Sequence, residues 1–225
     1  MNNKIQQDFR LFARDYNLSS LAIDNVQKSL SNSLTPYIPE ERQHNVVMID
    51  VFSRLMMDRI IFLAGEVNDT MSLYTIAQLQ YLDSMERTDI TFQISSPGGS
   101  VSSGLAIIDV MNYIVSDIRT INIQLAASMG SLLLGAGTKG KRCALRFAKT
   151  MLHQSSGGAV GNIQDAEITM TEWKKINNTL FELLGEYCNK SPEEVKKDAS
   201  RDLWLSSDEA LAYGIIDEII IKKKK

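Results

Sequence analysis

The chain has 225 residues, enough for one domain with a sizeable core or two very small ones. Hydrophobic residues make up 44% and charged residues 23%, ordinary for a globular chain, and a net charge of −3 excludes a basic field for wrapping nucleic acid. Cys143 and Cys188 lie far apart and form no zinc-ligand pattern with His44 and His153, so a structural metal and a disulfide scaffold are both disfavoured and a reducing compartment fits.

Residues 1 to about 35 are rich in Asn, Gln and Ser, with helical patterning around Phe9–Tyr16 and Leu21–Leu30. Asp8, Arg10, Arg14, Asp15, Asp24 and Lys28 interrupt every short apolar run, which argues against a secretory signal peptide. Pro36 and Pro39 then break any helix, so this stretch reads as an extension ahead of a single domain at 36–221.

From Arg59 the chain alternates. Ile60–Leu63, stopped by Gly65, predicts a buried strand. Asp69 is placed to cap a helix with Leu73, Ile76, Leu79 and Leu82 recurring every three residues. Ile90–Ser95 predicts a second strand, ended by Ser96-Pro97-Gly98-Gly99, and Ser100–Val115 a helix with Leu105, Ile108 and Met111 on one face. Thr120–Thr138 is a run of 19 uncharged residues, long enough to span a membrane. Its Asn122, Gln124, Ser128, Ser131 and three glycines argue instead for a buried strand, Ile118–Leu125, entering a buried helix, Ala127–Ala136. Strand and helix in this rhythm predict an α/β fold with parallel strands and right-handed crossovers.

The second half predicts short strands at Cys143–Leu145 and Met151–His153, then a glycine-rich stretch, Ser155–Gly161, and a long helix, Ile163–Tyr187. Ser191-Pro192-Glu193-Glu194 is a helix start, and Ser206 with Glu209 forms a capping box before a helix closed by Gly214. Ile215–Ile221 predicts a final strand, and Lys222–Lys225 a solvated basic tail. Neither G-x-G-x-x-G nor a Walker loop occurs, so no nucleotide site is predicted.

Ser128 stands where an apolar strand meets a helix, in Ala126-Ala127-Ser128-Met129-Gly130. A hydroxyl there faces unpaired backbone N–H groups, which can stabilise an oxyanion. Capping alone explains a serine there equally well, and it is one of 22 serines. This is not the G-x-S-x-G elbow of α/β-hydrolases. A serine nucleophile needs a base, and His153 ends an apolar strand whereas His44 lies in the polar Gln43-His44-Asn45. Ser96–Ser100 exposes backbone N–H groups suited to an anion cradle or simply makes a strand-to-helix turn. Spacing does not rank the fifteen aspartates, so the residues alone name no orienting acid.

Taken together, Ile60-Ile61-Phe62-Leu63, Ser96-Pro97-Gly98-Gly99, Ala126-Ala127-Ser128-Met129-Gly130, Gly137-x-Lys139-Gly140-Lys141-Arg142, Met151-Leu152-His153-Gln154, Arg201-Asp202 and Glu209-Ala210-x-x-Tyr213-Gly214 resemble the Clp protease proteolytic-subunit family (ClpP) in order and spacing. The resemblance spans roughly residues 50 to 220. It implies a crotonase-like α/β fold of stacked βαβ units, with a protruding strand–helix handle at about 155–187 that begins with a strand at Gly157–Asn162. It implies a serine endopeptidase with Ser128 as nucleophile, His153 as general base and Asp202 as the acid orienting it. Gly99 and Met129 would supply the oxyanion-hole N–H groups, and no cofactor or metal is expected in this chain. The implied partners are copies of itself in two stacked heptameric rings, an ATP-using AAA+ unfoldase of the ClpX, ClpA or ClpC type, and unfolded polypeptides, in the cytoplasm and away from membranes. An acyl-CoA hydratase of the same fold would instead place acidic residues where Ser128 and His153 stand, and a ring subunit that had lost activity would lack part of the triad. Gln124 departs from the family's frequent Gly, and Ser155 from its common Pro. The N-terminal stretch resembles a propeptide, with removal expected near Ser31–Thr35.

Overall fold

The computed structural model describes residues 37–42, 45–156 and 162–221; the predicted N-terminal helices, His44, all but the last residue of the predicted strand at Gly157–Asn162, and the lysine tail lie outside them. The chain divides into two compact units, one through Asp58 and one from Arg59. In the first, strands β1 (Tyr37–Arg42) and β2 (Asn45–Asp50) form an antiparallel hairpin, followed by helix α1 (Val51–Met57). Asp50 caps that helix, accepting from the Phe52 and Ser53 N–H groups. Neither the hairpin nor α1 is predicted from the sequence.

The second unit carries a seven-stranded sheet. Its first part is β3 (Ile60–Ala64), α2 (Asp69–Met85), β4 (Ile90–Ser96), α3 (Val101–Tyr113), β5 (Ile118–Ala127) and α4 (Met129–Gly135). Strands β3, β4 and β5 pair in parallel, as the strand–helix alternation predicts. β4 alternates strictly between buried and half-buried residues, with Ile90, Phe92, Ile94 and Ser96 facing inward. The uncharged run is indeed a buried strand entering a buried helix, since all seven residues of α4 are buried.

Two details of this half differ from expectation. Asn68, not Asp69, caps α2: its backbone is extended and its side chain accepts from the Met71 N–H. The buried stripe of α2 is Ser72, Thr75, Leu79 and Leu82, and Leu73 is 68% exposed. A strict three-residue repeat drifts off one face of a 3.6-residue helix, whereas steps of three and four stay on it. Small Ser72 also lets α2 approach α3, and its hydroxyl donates to the Ser103 carbonyl at 2.9 Å.

The second part is β6 (Cys143–Leu145), β7 (Lys149–Leu152), α5 (Ile163–Cys188), α6 (Pro192–Asp198), β8 (Leu203–Ser206), α7 (Ser207–Tyr213) and β9 (Glu218–Ile220). The starts read at Ser191-Pro192 and at the Ser206–Glu209 capping box are formed, and Gly214 closes α7 in the left-handed conformation at φ 93°. The last strand is shorter than predicted. Ile215 and Ile216 fill the core from the turn after Gly214, and Asp217 is drawn to Arg142 before β9 begins. β5 has two parallel neighbours on its far side, β6 at Ile121–Asn122 and β7 at Leu125–Ala127. β7 pairs in turn with β8, antiparallel.

Arg142 lies at the start of β6 and ties this half together. Its side chain is 5% exposed and every nitrogen donates: Nε and Nη2 to Asp217 at 2.8 and 2.6 Å, Nη1 to the Tyr187 carbonyl at 2.8 Å, and Nη2 also to the Gly214 carbonyl at 3.1 Å. Burial pushes the Asp217 carboxyl up, but the hydrogen bonds and charge of Arg142 outweigh it and hold the group below its ordinary value.

Only the C-terminal part of α5 is packed. Leu180, Phe181, Leu184, Gly185 and Cys188 are buried against α4 and α6, while Ile163, Ile168 and Met170 are exposed. Among the described residues, no helix is long and apolar enough to cross a membrane.

Candidate active site

The site forms where parallel strands end, the usual place for chemistry in open α/β sheets. β5 continues two residues beyond its predicted end, because Ala127 still pairs with Met151 of β7. Ser128 follows, and its N–H donates to the Met151 carbonyl at 2.9 Å. The chain then turns into α4, whose first residue is Met129. This reversal places Ser128 at φ 53° and ψ −122°, a conformation that a side chain adopts only at a cost of about 1–3 kcal/mol. The motif is not G-x-S-x-G, yet the backbone makes the same kind of strained strand-to-helix turn. The small residue it needs two positions on is Gly130, where an added Cβ would lie 3.0 Å from the Ser96 carbonyl.

The Ser128 carbonyl is well used: it accepts from the Ser131 N–H at 2.9 Å and the Ser131 hydroxyl at 2.6 Å. The Ser128 hydroxyl makes no hydrogen bond among the described residues and does not cap its own helix. Capping, the plain explanation for a serine at this position, is therefore absent.

β7 leads directly into His153. In the antiparallel β7–β8 pair the terminal partners are Leu152 and Leu203, so the residue after one and the residue before the other come together. Those residues are His153 and Asp202, with His153 Nδ1 3.3 Å from Asp202 Oδ1. Asp202 is 60% exposed, and its contact with the imidazole is long. Ser155, two residues on, donates its N–H and its hydroxyl to Asn177 Oδ1 of α5 at 3.0 and 2.9 Å. Proline at this position would lack both donors.

The Ser96–Ser100 turn lies against the start of α4. A Cβ added to Gly98, at φ 96°, would stand 2.6 Å from Ser128 Cβ and 3.0 Å from the Met129 nitrogen. Gly99, at φ 147°, forms an isolated parallel bridge to Val67. In that bridge the Val67 N–H donates to the Gly98 carbonyl at 2.8 Å and the Val67 carbonyl accepts from the Ser100 N–H at 2.7 Å. Gly99's own N–H is turned away from the ladder, and neither it nor the Met129 N–H is hydrogen-bonded among the described residues. A β-carbon at Gly99 would overlap the Val67 carbonyl.

The arrangement offers a free hydroxyl, an imidazole with a carboxylate beside it, and two unpaired backbone donors, the parts needed for acyl transfer. The cysteines are poor rivals as nucleophiles: both are free and buried, and burial pushes the Cys188 thiol up to about 12. No cluster of three or more metal-ligating side chains occurs among the described residues. Sequence reasoning alone missed Val67, whose backbone holds the Gly98–Ser100 turn and which only its buried partners reveal.

The comparisons agree with this architecture. A family model described as Clp protease matches residues 42–223. An "ATP-dependent Clp protease proteolytic subunit" of Bacteroides fragilis strain YCH46 is 48% identical over 218 residues, 96% of this chain and 99% of that protein. Proteins with the same description from Bacteroides thetaiotaomicron, 47% identical over 96% of this chain and 99% of that protein, and from Porphyromonas gingivalis, 45% identical over 97% and 99%, are similarly close. Sheet, site and near end-to-end similarity lead to one conclusion: the chain belongs to the Clp protease family.

Proposed function

We propose that the chain hydrolyses peptide bonds of unfolded proteins through an acyl-enzyme. His153 takes the Ser128 proton as the hydroxyl attacks the carbonyl, and the Gly99 and Met129 N–H groups receive the oxyanion. His153 then protonates the leaving amine, and water repeats the cycle to release the acid. Asp202 holds the imidazole in the tautomer that accepts at Nε2. One observation carries this reading: a strained serine with an unused hydroxyl lies beside the strand that delivers a carboxylate-paired histidine.

The reading extends to assembly in the cytoplasm. The sites would face the chamber of two stacked seven-membered rings of this chain, and an AAA+ unfoldase would spend the ATP and feed unfolded substrates. The exposed apolar residues of the first half of α5 favour burial between copies.

A fluorophosphonate probe tests the chemistry. It should label Ser128, shown by peptide mapping, and Ser128→Ala should keep the fold and take up no label. Undiminished labelling of Ser128→Ala would refute the assignment, and a monomer at micromolar concentration in sedimentation would refute the rings.

A further inference from the structure

The β4–β5 pairing is regular as far as Ile94 opposite Asn122 and resumes at Ser96 opposite Ala126. One residue of β4, Ser95, therefore faces three of β5, Ile123 to Leu125, and β5 bulges. An insertion of two keeps the alternation of faces, so Asn122 and Ala126 both remain inward and buried while Gln124 is pushed out. There the Gln124 Oε1 accepts from the Ser95 hydroxyl at 2.8 Å. Across the same bulge β5 exchanges neighbours, from β6 at Ile121–Asn122 to β7 at Leu125–Ala127.

Asn122 lies at this junction with 0% exposure. Its Oδ1 accepts from the Gln124 N–H at 3.2 Å, within the bulge. Its Nδ2 donates to the Lys149 carbonyl at 2.9 Å and to Thr150 Oγ1 at 3.2 Å, at the start of β7. One buried amide thus fixes the irregular stretch of the strand that ends in Ser128 and the first residues of the strand that leads to His153. The strands are joined by few pairs, Leu125 to Ala127 against Lys149 to Met151, so this link is a large share of what sets their relative register.

We propose that Asn122 is a positioning residue for the reaction inferred above, setting the Ser128 and His153 strand ends against one another from beneath the bulge. The proposal rests on that reading of Ser128 and His153. A displacement of about 1 Å between reacting groups can cost on the order of 100-fold in rate. An apolar side chain of equal size at 122 would leave the Gln124 N–H and the Lys149 carbonyl without these partners and release both strands.

The test uses the full-length protein. In Asn122→Leu, fluorophosphonate labelling of Ser128 and kcat on a short fluorogenic peptide should both fall about 10- to 100-fold, with KM changed less than about twofold. Thr150→Val keeps the shape and removes one acceptor, and should slow labelling by a smaller factor, roughly two- to fivefold. Asn122→Asp keeps an acceptor for Gln124 but sets a carboxylate against the Lys149 carbonyl. Burial raises such a carboxyl, and its protonated form regains a donor, so the labelling rate relative to wild type should rise as pH is lowered from about 8 to 6. A merely structural asparagine would not produce that pH-dependent recovery. If Asn122→Leu does not fold by circular dichroism, Thr150→Val and the Asn122→Asp pH ratio decide the matter. Wild-type labelling rates in the folded variants, or a flat Asn122→Asp ratio, would overturn the proposal while leaving Ser128 as nucleophile. A wild type that takes no label at Ser128 would remove the reaction and the proposal with it.

Discussion

Arg142 and Ser128 both sit at the end of a sheet element, and their surroundings are built on opposite terms. Around Arg142 every guanidinium nitrogen has an acceptor and the opposing carboxylate is held ionised in a buried site. Around Ser128 the backbone is strained, the hydroxyl and two main-chain donors are unused, and the carboxylate is largely in solvent. Completed hydrogen bonding stabilises and leaves nothing for a ligand. Incomplete hydrogen bonding, on a frame rigid enough to maintain it, is a capacity to bind something that arrives later. Loss of a group should therefore reduce stability at the first cluster and rate at the second.

The largest effect should come from the reactive side. Asp202→Asn leaves the shape but lets the imidazole settle in the wrong tautomer, and should lower kcat on a peptide substrate on the order of 10,000-fold with little change in melting temperature. A large drop in melting temperature would mean that Asp202 belongs with the structural cluster. Next, Arg142→Ala removes the guanidinium from the half-buried Asp217, which keeps only the Gly140 and Arg142 N–H groups, and leaves two carbonyls without it; it should destabilise by up to about 3–5 kcal/mol in urea unfolding. A loss under about 1 kcal/mol would erase the distinction between the two clusters.

A third, smaller effect is set by pH. The Asp217 carboxyl lies below its ordinary value of 3.8 in the folded chain, so its contribution is complete above that pH and is lost as pH falls through the folded value. The urea midpoint should fall more steeply below about pH 4 in wild type than in Asp217→Asn. The smallest effect belongs to Tyr187, whose hydroxyl is buried without a partner among the described residues and whose burial raises its ionisation to about 12. Tyr187→Phe should leave stability unchanged or raise it by up to ~1 kcal/mol, and a clear loss would reveal a partner for that hydroxyl in the assembled protein.

How much of this is legible in the sequence follows from range. The parallel β3–β4–β5 frame, the Ser191 and Ser206 caps and the Gly214 stop are local signals, and they form as read. Ser128 and His153 stand out because each ends an apolar strand. Asp202 does not stand out among fifteen aspartates: the β7–β8 pairing that brings it beside His153, 49 residues earlier, is not read from the sequence, and only the family resemblance names it. The Arg142–Asp217 pair joins positions 75 apart, and the bulge at Gln124 falls where β5 exchanges β6 for β7. No window of neighbouring residues contains either. The β1–β2 hairpin was hidden for a local reason: Pro36 and Pro39 suggest an irregular stretch, yet proline is tolerated in a two-stranded edge.

The two bonds from Ser155 to Asn177 carry a mechanical consequence. They moor the chain just past the imidazole to the middle of a 26-residue helix, at the boundary between its gripped end and its bare end. At about 1.5 Å per residue that helix is ~39 Å long, so a small tilt of the bare end is levered into a displacement at the mooring. Whatever seizes the far end of the lever also has a hand on the histidine.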